Sequence, residues 1–94
     1  MAKKFEKQLY EVLASLKNEK DAERFILDLC TPQEIEHLSE RLASAILLKE
    51  GKTYSEVLSK VNVSSATLSR VSKCVKYSDG YNKVLDAFLK ENEE

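Results

Sequence analysis

The chain has 94 residues, the size of one small domain, and its 43% hydrophobic and 33% charged composition is typical of a soluble globular protein. Two glycines and one proline leave few sites for hairpin turns and favour helices, and a net charge of −1 gives no overall attraction for nucleic acid. No apolar run approaches the roughly 20 residues needed to cross a bilayer, and the N-terminus lacks an uninterrupted signal-peptide core, so we expect a cytoplasmic protein.

Two amphipathic helices are predicted before residue 30. The first covers residues 3–16, and its polar face mixes both charge signs, so its stripe indicates packing on a partner helix more than binding to a membrane surface. That stripe consists of Phe5, Leu9, Val12, Leu13 and Leu16. Asn18 is expected to end or loosen this helix. A second helix is predicted from residue 20 or 21 to residue 29, with a buried side of Ala22, Phe25, Ile26 and Leu29.

The segment Thr31-Pro32-Gln33-Glu34 indicates a helix start, because it combines an N-cap hydroxyl, a proline at the first helical position and an acid in the first turn. The helix is predicted to reach residue 49, where Glu50 and Gly51 end it. It is the longest predicted helix and the expected centre of the fold. Its inward positions are Ile35, Leu38, Leu42, Ala45, Ile46 and Leu48.

Two short helices joined by a tight turn are predicted next. Thr53 and Glu56 have the spacing of a capping box and open a helix over residues 54–61. The face that this helix buries is formed by Val57, Leu58 and Val61. Asn62 is expected to take the left-handed conformation that closes a helix, so the chain turns sharply and Val63 packs into the corner.

Ser64 is placed to cap the second of these helices, in which Leu68, Val71 and Val75 would press onto the first. The opposite face carries Ser65, Ala66, Ser69, Arg70, Lys73 and Lys76. Small groups let a helix backbone approach base edges, and cations farther along the helix reach phosphates. The pattern favours a helix that reads the DNA major groove. A solvated corner inside an ordinary helical bundle is the alternative.

Charge is distributed unevenly along the chain. Residues 49–76 contain six cations and two acids, which gives this stretch +4 and leaves −5 for the remainder. The six cations are Lys49, Lys52, Lys60, Arg70, Lys73 and Lys76. A basic segment on a weakly acidic protein is expected where only one face meets phosphate.

The last predicted helix covers residues 81–90, after a link, Tyr77-Ser78-Asp79-Gly80, that contains a cap candidate, and the acidic residues 91–94 are expected to fray. Its apolar side consists of Val84, Leu85, Phe88 and Leu89.

The chain has more apolar stripes than so small a protein can bury, so we expect it to interleave with a second copy. We therefore predict an all-α domain of about six helices over residues 1–94, with dimerisation and core helices in 1–50, a helix-turn-helix in 53–76 and a C-terminal helix in 80–90.

No enzymatic or metal site is expected. His37 has no nucleophile signature or phosphate loop around it and is typical of a solvated or partly packed helix histidine. Cys30 and Cys74 lack disulfide or metal-ligand spacing, so buried free thiols are favoured over a bridge or a zinc site. A charged helix face without a second ligand set is formed by Glu34, Glu36 and Glu40.

Two motifs resemble those of a known family. VSSATLSRV resembles the start of the recognition helix of bacterial repressors, and LCTPQEIEHLSERL, with T-P-x-E and a following arginine, is similar to the Trp repressor. Together they suggest the Trp repressor superfamily, in particular its YerC/YecD-type branch, over residues 27–89, about two thirds of the chain. The resemblance implies an all-helical, intertwined homodimer. It does not by itself imply tryptophan.

The resemblance also implies a corepressor-binding site between the long central helix and the recognition helix, near the turn before the T-P motif. Family arginines match Arg41 and Arg70, whose guanidinium planes would hold an aromatic ring and a carboxylate. Tryptophan-binding members have a glycine and a serine where this chain has Val71 and Cys74. We expect any small ligand to contact Thr31, Arg41, Arg70 and Cys74. We do not expect tryptophan to control DNA binding, and we expect no required cofactor. The alternative for Arg41 is an ion pair with Asp28 or Glu40.

We interpret the protein as a homodimeric transcriptional regulator, a repressor, that lays residues 64–76 of each subunit, capped by Ser64, into successive major grooves of a palindromic DNA operator. Base contacts are assigned to Ser65, Ala66 and Ser69. Phosphate contacts are assigned to Arg70, Lys73 and Lys76. Thr53, Tyr54 and Thr67 are expected to help fix the register of the protein on the DNA backbone. A helical protein-interaction module is the alternative, and salt separates the two, because DNA binding weakens steeply with ionic strength and an apolar groove hardly responds.

Overall fold

The computed structural model describes residues 2–92, and within that range the chain is all-α, with six helices and no strand. The helices are α1 (Ala2–Ala14), α2 (Glu19–Leu29), α3 (Pro32–Lys49), α4 (Tyr54–Lys60), α5 (Ser65–Tyr77) and α6 (Gly80–Glu91). The predicted fold class is therefore confirmed. None of these helices has the length and apolar character that crossing a membrane requires. The end of the predicted acidic tail, residues 93 and 94, lies outside the described residues.

The chain forms two compact units, of which the first ends at Ile35 and the second begins at Glu36. In the first unit, neither α1 nor α2 contains a buried residue. The apolar stripe of α1 is exposed in the single chain, since Phe5 is 62% exposed and Leu9 is 37% exposed. The prediction of one domain over residues 1–94 stays a prediction.

The boundary between α1 and α2 differs from the predicted one. α1 ends at Ala14, and Asn18 opens α2 instead of closing α1. The Asn18 Oδ1 accepts a hydrogen bond from the Asp21 amide at 2.9 Å, which satisfies one of the free amides at the helix start. Glu19 and Asp21 place negative charge in the first turn, where it complements the helix dipole.

α3 has its predicted bounds, and local interactions at both ends explain them. Thr31 Oγ1 accepts a hydrogen bond from the Glu34 amide at 3.1 Å, and Glu34 Oε1 accepts one from the Thr31 amide at 2.8 Å. After the last turn, Gly51 has a φ of +89°, a left-handed conformation that is costly for residues with a Cβ atom. The predicted start and stop of this helix are therefore confirmed.

The core of the second unit joins three helices. Ala45 of α3, Val71 of α5 and Leu85 of α6 are buried together. The half-buried apolar side chains packed against them are Ile46, Leu48, Val75 and Tyr81. The predicted partner of Val71 and Val75 is α4, whereas the structure packs them against α3 and α6. Helical spacing identifies the face that is buried, but it does not identify the helix that covers that face.

Several positions predicted to face inward are exposed in the single chain. On α3, Leu38 and Leu42 are both exposed. On α6, Leu85 is buried, but Val84 is 68% exposed and Phe88 is 48% exposed. A single unit of this size has too few neighbouring elements to cover every apolar stripe, so part of each stripe faces solvent.

Candidate nucleic-acid interface

A tight turn over residues 61–64 joins α4 to α5. Val61 is extended, with φ −121° and ψ 136°, and the Val63 amide donates a hydrogen bond to the Val61 carbonyl at 2.8 Å. A bond between residues i and i+2 defines a γ-turn, here centred on Asn62. The predicted left-handed Asn62 is wrong, because no residue other than glycine has a positive φ within residues 2–92.

Side-chain caps begin both helices of the pair. Thr53 Oγ1 accepts a hydrogen bond from the Glu56 amide at 3.2 Å, and Glu56 Oε1 accepts one from the Thr53 amide at 2.9 Å, which is the predicted capping box. The Thr53 backbone bond, followed by the Thr53 side-chain bond, lowers the pKa of the Glu56 carboxyl from its ordinary value. At the start of α5, Ser64 Oγ accepts a hydrogen bond from the Thr67 amide at 3.1 Å.

Each of the two helices has one buried side. Val57 of α4 and Leu68 of α5 are fully buried, and Val71 and Ser72 complete the buried side of α5. Leu58, which was predicted to lie on the same face as Val57, is exposed. The buried side chains and the caps together fix which face of α5 is left open.

The open side of α5 is the predicted one. Its residues, which we call the reading face, are Ser65, Ala66, Ser69, Arg70, Lys73 and Lys76. Ser69 is half-buried, and the other five are exposed. Small groups therefore lie at the start of the helix and cations lie along the rest of it, which suits a helix that contacts base edges with the first set and phosphates with the second.

The other predicted DNA-contact residues lie at the helix starts. Ser64 Oγ, besides its capping bond, donates a hydrogen bond to Thr67 Oγ1 at 3.0 Å, so these two hydroxyls are partly engaged with each other. Thr53 is engaged in its capping box. Tyr54, the first residue of α4, is 44% exposed and is free to meet an external partner.

Lys49 differs from the other cations of the basic segment. Its Nζ lies 2.6 Å from Asp86 Oδ1 and donates a hydrogen bond to Asn82 Oδ1 at 2.7 Å, and its side chain is 19% exposed. Within residues 2–92, the other five cations of the segment form no ion pair. The charge available to an external anion therefore lies on the reading face and at Lys52 and Lys60, and not at Lys49.

Two residues near the end of α5 were missed from the sequence. Asn82 Nδ2 donates hydrogen bonds to the Val75 carbonyl at 2.8 Å and to the Ser78 carbonyl at 3.0 Å. Tyr77, the last residue of α5, is 85% exposed beside Lys76. Neither residue belongs to an apolar stripe or to a recognised cap. The sequence offered a signal for Tyr77 alone, because this residue directly follows the cation Lys76.

Two clefts of the second unit bear on small-ligand binding. A polar cleft of about 310 Å³ lies between α3 and the turn, and its lining residues are Glu36, His37, Glu40, Arg41, Asn62, Val63, Ser64 and Thr67. An apolar groove of about 420 Å³ lies among α3, α5 and α6, and its lining residues are Leu42, Cys74, Ser78, Gly80, Tyr81, Val84 and Leu85.

The four predicted ligand residues occupy different places. Arg41 lines the polar cleft and Cys74 lines the apolar groove, while Arg70 lies on the reading face. Thr31 belongs to the first unit, where its side chain caps α3. Arg41 forms no ion pair within residues 2–92, which leaves its guanidinium available.

The described residues contain no group of three or more histidine, cysteine or acidic side chains placed to hold a metal ion. Both cysteines are free thiols, as predicted, although they are half-buried and not buried. His37 is exposed on α3 and lines the polar cleft. The single histidine therefore lies at a surface cleft that also contains Glu36, Glu40 and Arg41.

Two capped helices, a tight turn and an outward polar face on the second helix define a helix-turn-helix protein. The family model described as Trp repressor protein matches residues 5–89, and the chain belongs to this family. The uncharacterized protein YerC of Bacillus subtilis strain 168 is 42% identical over 87 residues, which cover 92% of this chain and 83% of YerC.

Solved structures agree with this assignment. A proposed Trp repressor from Staphylococcus aureus has a TM-score of 0.81 and 35% identity, covering 87% of this chain and 83% of that one. A TrpR-like protein from Eubacterium eligens ATCC 27750 has a TM-score of 0.80 and 38% identity, covering 87% of this chain and 86% of that one. The predicted Trp-repressor-like resemblance is confirmed, and the family match begins at residue 5, well before the predicted residue 27.

Proposed function

We propose that the protein is a sequence-specific DNA-binding transcriptional regulator that acts as a repressor. The observation that carries this proposal is the reading face, where small side chains precede cations on a helix whose opposite side is buried. A buried side fixes the orientation of the helix, and an uncharged helix start lets its backbone approach base edges. Membership of the Trp repressor family, a family of DNA-binding regulators, supports the same function and gives no support to an enzymatic one.

The reading face divides the contacts by chemistry. Ser65, Ala66 and Ser69 are assigned to base edges, because short hydroxyl and methyl groups lie nearest to the helix start. Phosphate contacts are assigned to the cations Arg70, Lys73 and Lys76. The helix-start residues Ser64, Thr67, Thr53 and Tyr54 are assigned to positioning on the DNA backbone, in keeping with their place at the ends of α4 and α5.

We propose that the protein binds its operator as a homodimer. The apolar stripe of α1 in the first unit is exposed in one chain, and so are Val84 and Phe88 in the second unit. Exposed apolar surface of this kind is typical of an interaction site. A two-fold dimer presents two reading helices, which suits half-sites separated by about one DNA turn, roughly 34–36 Å.

The proposal is tested by selecting bound DNA from a random pool. We expect enriched sequences with two-fold symmetry and half-sites about one turn apart. The binding constant of the selected site should then fall steeply as salt concentration rises, because each phosphate contact releases a counterion. A pool without any enriched motif, or an association that does not respond to salt, would contradict the proposed function.

The second candidate is a helical module that binds a protein. The apolar groove among α3, α5 and α6 favours it, since Leu42 and Val84 line this groove and are exposed. Association through such a groove would be nearly independent of ionic strength. The salt titration described above therefore separates the two candidates.

We propose that operator binding is not gated by tryptophan. Val71 stands where tryptophan-binding relatives have a glycine, and its side chain is buried with Ala45 and Leu85, so this position is already filled. Arg41 and Cys74 line different clefts, which gives an indole ring no single place that both would contact. No cofactor enters the proposed function.

A further inference from the structure

The end of α5 is attached to α6 by one amide side chain. Asn82 Nδ2 donates hydrogen bonds to the carbonyls of Val75 and Ser78, at 2.8 and 3.0 Å. The last carbonyls of a helix have no partner within the helix, and a terminal turn without such partners frays readily. Asn82 therefore supplies, from the next helix, hydrogen bonds that α5 cannot make for itself.

The position of Asn82 is itself fixed by α3. The Asn82 Oδ1 accepts a hydrogen bond from Lys49 Nζ at 2.7 Å, and the same ammonium group lies 2.6 Å from Asp86 Oδ1. The Asn82 side chain is half-buried, and the Lys49 side chain is 19% exposed, so water competes only partly with these bonds. The ends of α3 and α5 are therefore joined through a single residue of α6.

The bonds bracket a cation of the reading face. Lys76 lies directly after Val75 and two residues before Ser78, and Lys73 lies two residues before Val75. A carbonyl held in place fixes the tilt of its own turn, and with it the direction of the neighbouring side chain. The remaining residues of the reading face are closer to the start of α5, where Ser64 supplies the cap.

We propose that Asn82 is a positioning residue for DNA binding, which fixes the last turn of α5 so that Lys76 meets a phosphate. The inference rests on the proposed function, because it concerns the orientation of Lys76, which that function assigns to a DNA phosphate. Asn82 acts through the Val75 and Ser78 carbonyls and does not itself contact the DNA.

The test uses the full chain and an operator obtained by selection, with Asn82→Ala, Lys76→Ala and the double variant. We expect Asn82→Ala to weaken operator binding about fivefold at physiological salt and to lower the salt slope by about one unit, as Lys76→Ala does. On the Lys76→Ala background, Asn82→Ala should change affinity less than twofold, because two residues that act through the same contact are not additive. A loss of stability would not depend on Lys76 in this way.

Asn92 provides a matched control, since its Nδ2 donates to the Phe88 carbonyl at 2.8 Å at the end of α6. Asn92→Ala removes the same kind of bond away from α5 and should leave affinity and salt slope unchanged. Asn82→Asp keeps an oxygen for Lys49 but has no amide hydrogens for Val75 and Ser78, so it should match Asn82→Ala.

Four outcomes would overturn the inference. Wild-type affinity in Asn82→Ala, or in Asn82→Asp, would show that the bonds to α5 are not needed. Equal losses with and without Lys76 would assign Asn82 to general stability. An equal loss in Asn92→Ala would assign the effect to helix-end bonds in general. Wild-type protein that shows no salt-dependent binding to any DNA would instead remove the proposed function, and the inference with it.

Discussion

α1 and α5 each contain 13 residues and each has an apolar stripe, yet they differ in what covers the stripe. α1, in the first unit, has no buried residue, whereas α5, in the second unit, buries Leu68, Val71 and Ser72. Helical amphipathicity is a property of one segment, and burial is a property of its neighbours. The second unit forms a core within one chain, whereas the apolar surface of α1 in the first unit stays exposed in that chain.

Charged side chains in the stripe of α1 should have the largest effect on the protein. In the proposed homodimer, Leu9→Asp with Leu13→Asp would place four carboxylates against apolar surface, and each leucine contributes about 1.5–3 kcal/mol when buried. We expect the dimer dissociation constant to rise by about a thousandfold or more, measured by light scattering over a range of micromolar concentrations.

The control for this double variant is Gln8→Asp on the same helix, which adds charge outside the stripe and should leave the dissociation constant unchanged. Circular dichroism verifies that the helices are retained. If the double variant has the mass and dissociation constant of the wild type, the stripe is not the interface.

A core substitution in the second unit should have the next largest effect. Leu68 is fully buried, so Leu68→Ala removes packing and leaves a cavity, and we expect it to lower the free energy of unfolding by about 3 kcal/mol. Leu58→Ala, at an exposed position of α4, should lower it by less than about 1 kcal/mol. Urea denaturation measures both, and equal losses would contradict the assignment of Leu68 to the core.

Loss of the capping box at the start of α4 should have a smaller effect on the free energy of unfolding. Thr53→Ala removes the hydroxyl that accepts a hydrogen bond from the Glu56 amide, and we expect the free energy of unfolding to fall by about 1 kcal/mol. Thr53→Ser, which keeps the hydroxyl, should preserve most of it. A threonine-to-alanine loss no larger than the threonine-to-serine loss would show that the bond does not stabilise the helix.

The same box has a pH dependence with a defined sign. The folded-state pKa of Glu56 is lowered, chiefly by its bond to the Thr53 backbone, so the unfolded state binds the proton more tightly. This contribution is fully present above the unfolded carboxyl pKa of about 4.3 and is lost as pH falls through the lower folded pKa. Acid titration of stability should therefore be less steep in Glu56→Gln than in the wild type.

A cation of the reading face should have a modest effect on DNA binding. Lys73→Ala should weaken binding to all sequences alike by about threefold and lower the salt slope by about one unit. Lys20→Ala, at an exposed position of α2 in the first unit, is the control and should change neither quantity. An altered sequence preference in Lys73→Ala would reassign that residue from phosphate to bases.

Tryptophan should have the smallest effect of all. Because Val71 is buried with Ala45 and Leu85, we expect millimolar L-tryptophan to leave the thermal midpoint of unfolding unchanged. Differential scanning fluorimetry with and without the amino acid measures this midpoint. An increase of several degrees would show that tryptophan binds the native state and would contradict the absence of gating.

Features set by neighbouring residues could be predicted from the sequence. The caps formed by Thr31, Thr53 and Ser64 follow from short-range spacing, and the structure has all three. Gly51 was predicted to end α3, and its positive φ agrees. Asn62 was the local error, because the residue tolerates the left-handed region without requiring it, and a γ-turn closes the corner instead.

Features set by distant residues could not be predicted. Asn82 bonds to Lys49, which lies 33 residues earlier, and no local pattern links the two. The removal of Lys49 from the available positive charge follows from a second long-range contact, its ion pair with Asp86. The exposure of Val84 and Phe88 depends on which elements surround α6, a property of the assembled unit and not of the periodic stripe.

The two sides of α5 have separate roles, one in folding and one at the surface. Leu68 and Val71 keep the helix folded, while Ser65 and Ala66 face outward and contribute nothing to the buried core. Replacing an outward residue therefore changes what the helix can recognise without endangering the scaffold that presents it. Under the proposed function, such a protein can acquire a new DNA target by single substitutions, each of which leaves a folded molecule.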